Sequence, residues 1–331
     1  MACSFEILMP PGGKPAIDAG TDALDEVDRV EAQLSVYDDA SEVSRTNAVA
    51  AREPFALSDD LFALLERAAR LTEATGGAFD VTAGALIGCW GFFRGPRRLP
   101  APEEIDAALQ CVGMSRVTLQ ARRSPEEPPT ILYPREGLWI NLGSIGKGYA
   151  LDRAAAVLRD RHEQQHALLH GGFSSVYGMG DSPDDRDGWR VGLTDVLRPS
   201  ETVATARLRN QGLGTSCTTR QNFVADGRTW GHILDPRTGW PSENGVLQAS
   251  VVADSSAVAD ALATAFYVMG PEAAEAYCSQ NEAVSAMMVV QHDAQTQPVK
   301  RVVGKRTELF DLHPRRLARR DSLVERTEVS N

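Results

Sequence analysis

The chain reads as an α+β protein, and three observations predict that class. Short apolar strands alternate with amphipathic helices from one end to the other. The 331 residues exceed one ordinary core, which implies two subdomains or one large α+β unit. Hydrophobic residues make up 43% and charged residues 24%, the balance of a globular protein with a buried core. No internal repeat interrupts this pattern.

The elements follow in order. Cys3 to Met9 is a strand, ended by Pro10-Pro11-Gly12-Gly13. Ala16 to Leu34 is a helix, with Ile17, Leu24, Val27, Val30 and Leu34 at helical spacing. Ser41 to Asn47 is polar and predicts an exposed turn. Asp59 to Thr75 is a second amphipathic helix, capped by Ser58 and stopped by Gly76-Gly77. Gly84 to Phe93 is glycine-rich and aromatic. Pro102 to Cys111 is a short helix, and 122–129 is a polar loop. Leu138 to Leu142 is a strand that runs into Gly143-Ser-Ile-Gly-Lys-Gly148, followed by a helix from Tyr149 to about Arg161. Residues 181–188 form a surface loop. Gln248 to Ala253 is a strand. Asp254 or Ser255 caps a helix over Ala257 to Met269, closed by Gly270-Pro271. Another strand covers 284–292. From about Lys300 basic residues predominate, and a weakly ordered tail over 300–331 is expected beyond a domain of 1–299.

The net charge of −11 disfavours nucleic acid as a partner, because phosphate contacts need a basic surface. An anionic ligand would need a cation beside it. The five cysteines are scattered, without CxxC spacing, which argues against a disulfide framework or a zinc site. No apolar run approaches the roughly 20 residues of a membrane helix. No signal peptide or lipobox is visible, so a cytoplasmic location is expected for the sequence as written. A trimmed or mis-assigned start would instead allow a periplasmic or membrane-anchored protein.

Three segments carry chemistry. His232-Ile-Leu-Asp-Pro-Arg-Thr238-Gly239 bends at Asp-Pro and Thr-Gly. It offers either a base, a carboxylate and an anion clamp, or a polar hairpin whose Asp and Arg pair with each other. Asp260 and Thr264 stand four apart on one helical face, and two hard oxygen donors side by side suit Mg²⁺. Asp260 sits among alanines, Val258 and Leu262, where an unpaired carboxylate is costly. Gly143 to Gly148 could cradle a phosphate at a helix start, although it lacks P-loop spacing. Lys147 there is a phosphate or ribose contact or a surface lysine. Tyr37 and Trp90-Gly91-Phe92 offer rings for stacking, with core packing favoured for Phe92. Asp80 is a hydrogen-bond acceptor or a helix cap.

These segments together resemble the bacterial FAD:protein FMN transferases, the ApbE family. The resemblance runs from Met1 to about Gly270. It includes LSVYD around Tyr37, GGAFDVTAGAL…WGF from Gly76 to Phe92, and INLGSIGKGYALD from Ile140 to Asp152. It continues with GLGTS from Gly212, HILDPRTGWP from His232 and ADALATA from Ala259. It implies a mixed two-lobed α/β fold with FAD in the cleft between lobes. It implies Mg²⁺-dependent cleavage of FAD, release of AMP, and attachment of FMN through a phosphoester to a threonine of an acceptor flavoprotein. By the same resemblance Asp260 and Thr264 are side-chain Mg²⁺ ligands, and Ser144 gives a ligand through its main-chain carbonyl. Met1, Tyr37, Ala78, Phe79, Asp80, Asn141, Lys147 and Leu234 fall where the family contacts FAD. His232 falls at the position of the general base.

The chain departs from the family pattern in specific places. Asn141 stands where Asp is frequent, Phe173 follows Gly171-Gly172 where Asp or Asn is usual, and Cys217 stands where Gly is common. The alternatives are an FAD pyrophosphatase that gives FMN and AMP, with water as acceptor, and a non-catalytic FAD-binding protein.

Overall fold

A computed structural model describes residues 3–218, 222–291 and 296–313. The chain begins with β1 (Phe5–Leu8), α1 (Gly13–Leu34), α2 (Glu42–Val49), β2 (Phe55–Ala56), α3 (Asp59–Ala74), α4 (Gly84–Cys89) and α5 (Pro102–Leu109). It continues through β3 (Thr118–Gln120), β4 (Thr130–Leu132), α6 (Gly146–His162), β5 (Ala167–Gly171), β6 (Ser175–Met179), β7 (Trp189–Thr194) and β8 (Thr202–Leu208). Then come β9 (Gln211–Cys217), β10 (Phe223–Ala225), β11 (Arg228–Trp230), β12 (Val246–Ala253), α7 (Ser256–Met269) and α8 (Pro271–Gln280). The last elements are β13 (Ser285–Val290), β14 (Val299–Gly304) and β15 (Phe310–Leu312). The class is the expected mixture of helix and sheet.

The centre is a seven-stranded antiparallel sheet in the order β1-β5-β6-β9-β12-β13-β14. Alternation along β12 assigns its two faces. Ala249, Val251 and Ala253 join the core under α6 and α7, and Val252 joins a second core under the sheet β15-β8-β7. A third cluster, built on Leu86, Trp90, Ile105 and Trp230, lies beneath the His232 turn.

Helix α7 is apolar nearly all round, and such a helix must be central. It packs on β9, β12 and α6. Its approach to α6 requires Gly148, where a Cβ would stand 2.1 Å from the Ser256 carbonyl oxygen. Asp152 of α6 completes the junction. Its carboxylate accepts hydrogen bonds from Ser255 Oγ at 2.6 Å, Ser256 N at 2.7 Å and Ala257 N at 3.0 Å. It thereby caps α7 from outside that helix, alongside the Ser255 side chain. Asp152→Ala would strand buried N–H groups and should cost about 2–3 kcal/mol. A lower urea midpoint, with metal and ligand affinity reduced as well, would confirm this role.

Several expectations change. The stretch Ser41 to Asn47 is not a turn: Ser41 caps α2, accepting from Ser44 N at 2.9 Å. Leu138 to Leu142 forms no strand, with only a parallel bridge between Ala83 and Trp139. The tail expected from 300 does not begin there. Val299–Gly304 pairs along the whole of β13, and Phe310–Leu312 pairs with β8. An edge strand tolerates charges, and Arg301 meets Glu272 and Glu275 of α8. Residues 314–331 lie outside the described residues. No helix among the described residues is long and apolar enough to cross a membrane.

Candidate functional site

The sheet ends, the start of α6, α7 and the His232 turn enclose a cleft of about 980 Å³. Tyr37, Ala78, Asp80, Asn141, Ser144, Lys147, His232, Leu234, Asp260 and Thr264 all line it. Residues far apart in sequence therefore meet in one place. Phe79 does not line the cleft: its side chain is 1% exposed within the main core. Met1 lies outside the described residues.

Asp260 is the most constrained of these groups. Its carboxylate accepts from Ser175 Oγ at 2.7 and 2.9 Å and from Gly148 N at 2.7 Å. Both donors are neutral. Burial pushes its pKa up to about 6, opposed by the nearby Lys147 charge and by these hydrogen bonds. Thr264 lies one turn on, with its Oγ1 3.1 Å from Ser216 Oγ. Ser144 reaches the same cleft just before α6. A buried carboxylate without a full counter-charge, a hydroxyl and a main-chain segment form an all-oxygen set, and that set fits a hard cation such as Mg²⁺.

The Gly143 to Gly148 loop turns four of its backbone donors into the protein. Gly143 N donates to Asn141 Oδ1 at 2.9 Å, Ile145 N and Gly146 N donate to the Leu142 carbonyl, and Gly148 N is taken by Asp260. The helix starts inside the loop, at Gly146, so these donors are already used. Lys147 remains in the cleft wall as the positive charge.

The His232 turn resolves toward pairing. Arg237 donates to Asp235 from Nε and Nη2, both at 2.8 Å, so the guanidinium staples its own turn. Trp90 Nε1 donates to the Gly239 carbonyl at 2.9 Å. Gly239 has φ +77°, and a Cβ there would meet Ile105 Cγ2 at 2.5 Å. The turn thus sits on an aromatic base and presents His232 to the cleft. Burial holds the His232 imidazole down at about 4, with the Arg97 charge adding to the effect. Its Nδ1 meets no hydrogen-bond partner among the described residues.

Phe92 lines the cleft as well as packing, with its ring 6.4 Å from His232 and 5.9 Å from Phe223. Tyr37 is 61% exposed and stacks on Phe93 at 5.0 Å. Asp80 is an acceptor inside the protein, taking Thr82 N at 2.8 Å, Thr82 Oγ1 at 2.6 Å and Met114 N at 2.9 Å. Phe173 and Cys217 both line the cleft, and Phe173 is 86% exposed. Sequence reasoning missed Ser175 and Ser216, whose hydroxyls position Asp260 and Thr264. Their only signal is the strand register, which pairs β6 with β9 and faces both toward α7.

The ApbE family model matches residues 1–288. The FAD:protein FMN transferase of Vibrio cholerae is 31% identical over 294 residues, covering 85% of this chain and 83% of that protein. The one from Treponema pallidum is 32% identical over 279 residues, covering 81% and 76%. The ApbE protein of Thermotoga maritima superposes with a TM-score of 0.79 at 26% identity, covering 93% of this chain and 94% of that one. The flavin transferase ApbE of Vibrio cholerae gives 0.77 at 28% identity, covering 92% and 94%. The fold, the motifs and these likenesses agree: the chain belongs to the ApbE family.

Proposed function

We propose that this chain is a Mg²⁺-dependent FAD:protein FMN transferase that attaches FMN to a threonine of an acceptor flavoprotein. The observation that carries this reading is the convergence of His232, Lys147, Asp260 and Thr264 on one cleft large enough for a dinucleotide. Relatives that bear the transferase name over more than three-quarters of their length support it.

Asp260, Thr264 and the Ser144 carbonyl would hold the cation. When bound, Mg²⁺ would neutralise charge on the pyrophosphate. Lys147 adds positive charge at the same place. His232 is neutral at pH 7 and takes the proton of the threonine hydroxyl. The threonine oxygen forms a bond to the FMN phosphorus, the bond from that phosphorus to the AMP oxygen breaks, and AMP leaves with the electron pair. Tyr37 and Phe92 give flat apolar surfaces for the isoalloxazine ring.

The test is product analysis with FAD and Mg²⁺, with and without a threonine-bearing acceptor domain. AMP release that depends on the acceptor supports transfer. AMP and free FMN at the same rate in both arms would make the chain an FAD pyrophosphatase. FAD bound but intact would make it a binding protein.

A further inference from the structure

Gln248 is a buried polar residue that none of the site chemistry above uses. It sits on β12, is 2% exposed and lines the cleft. Its Nε2 donates to Ser250 Oγ at 3.2 Å, and Ser250 Oγ lies 3.0 Å from Thr215 Oγ1. The amide nitrogen thus faces Ser250. Its Oε1 meets no donor among the described residues. A buried carbonyl oxygen without a donor is unfavourable, so such a group calls for a partner.

The position of Gln248 says which half of a dinucleotide can supply that partner. One end of the cleft is formed by Tyr37, Asp80, Phe92 and the His232 turn. The other lies on the opposite face of the sheet, under Val176, Val191, Leu193 and Leu213. Gln248 belongs to that second end, since it pairs with Cys217, two residues on from Thr215, on the Val252 face of β12. Asp260 and Thr264 stand on α7, which packs on the other face of the same two strands. Resting on the proposed transferase reading, attack occurs at the FMN phosphorus, in line with the departing AMP oxygen. The base then shares its end with the FMN half, and the AMP half extends toward Gln248.

We infer that Gln248 is a specificity-determining residue whose Oε1 accepts a hydrogen bond from the adenosine half of FAD. The donors available there are the adenine amine and the ribose hydroxyls, and analogues separate them. The experiment measures dissociation constants by calorimetry with Mg²⁺ present, for wild type, Gln248→Leu and the equally long Gln248→Met. The ligands are FAD, FMN, AMP, 2′-deoxy-AMP, 3′-deoxy-AMP and inosine monophosphate, which carries an oxo group in place of the amine. AMP and FAD should bind both variants about 3- to 10-fold more weakly, with FMN unchanged. One analogue, the one lacking the donor that Gln248 reads, should bind wild type and variants alike. The metal-free variants should melt no lower than wild type, because an unsatisfied buried oxygen has been removed.

Unchanged AMP affinity in both variants would overturn the inference and leave the transferase reading standing. Weakened FMN with unchanged AMP would overturn it too, as would a lower melting point with discrimination retained, which marks a packing residue. If wild type bound neither FAD nor AMP, the transferase reading itself would fall, and this inference with it.

Discussion

Asp260→Asn is expected to abolish Mg²⁺-dependent flavin transfer, lowering the rate by about a thousandfold or more, while the chain stays folded. The reasoning starts from burial. The carboxylate lies on a largely apolar helix and receives only neutral donors, and its pKa rises to about 6. Asparagine can keep an oxygen toward Ser175 and Gly148 but cannot supply the charge that draws a cation. The stability effect has the opposite sign. A carboxyl whose folded pKa is raised binds its proton more tightly in the folded state. Its contribution in the metal-free chain is complete below about pH 4 and is lost as pH rises toward 6. Metal-free Asp260→Asn should therefore be more stable than wild type at pH 7, by up to about 3 kcal/mol, with the two converging near pH 4. Added Mg²⁺ should raise the wild-type melting point at pH 7, raise it less below pH 6 where protons compete, and leave the variant unmoved. Transfer by the variant at the wild-type rate would remove Asp260 from the metal site.

His232→Ala is expected to bind FAD within about twofold of wild type and to lose about 100- to 10,000-fold in transfer, the usual range for a general base. Burial keeps this imidazole neutral down to about pH 4 in the free chain. The acid limb of kcat/KM, which reports the free enzyme, should accordingly fall near pH 4 and not at the ordinary histidine value of about 6.5. In the ligand complex the anionic pyrophosphate favours the imidazolium, so the acid limb of kcat should lie at higher pH. The linked stability has a defined sign as well. A histidine with a depressed pKa stabilises the fold fully above about 6.5, and that contribution is lost as pH falls toward 4. Full transfer activity in His232→Ala, or an acid limb of kcat/KM that persists unchanged in it, would move the proton-accepting role to another group.

Much of the cleft was legible because its parts obey local rules. The spacing of Asp260 and Thr264 on an apolar helix, capped by Ser255, puts both residues on one helical face without knowledge of the fold, and both line the cleft. The turn residues of His232 to Gly239 likewise place a bend. What local rules could not give was the choice of partner. Asp235 and Arg237 had two readings, and the short Asx turn at Asp235, with Arg237 N donating to its Oδ1 at 2.9 Å, selects the paired one. The glycine loop before α6 had the composition of a phosphate cradle. Four of its N–H groups are taken by Asn141, Leu142 and Asp260, two of them neighbours in the chain and one 112 residues away from Gly148. Ser175 and Gln248 matter only through register across a sheet, which no single segment records. The basic run after 299 misled for a related reason. Charge alone suggests a solvated tail, whereas the adjacent Val302 and Val303 pack against the cores on the two faces of the sheet once β13 is beside them.

The most direct test of the transfer reaction is tandem mass spectrometry on an acceptor flavoprotein domain incubated with this chain and FAD, in parallel with Mg²⁺ and with EDTA. The account predicts FMN bound through phosphate to one threonine in the Mg²⁺ arm, with matching AMP, and an unmodified acceptor in the EDTA arm. An acceptor left unmodified in both arms, or modified equally in both, would contradict it.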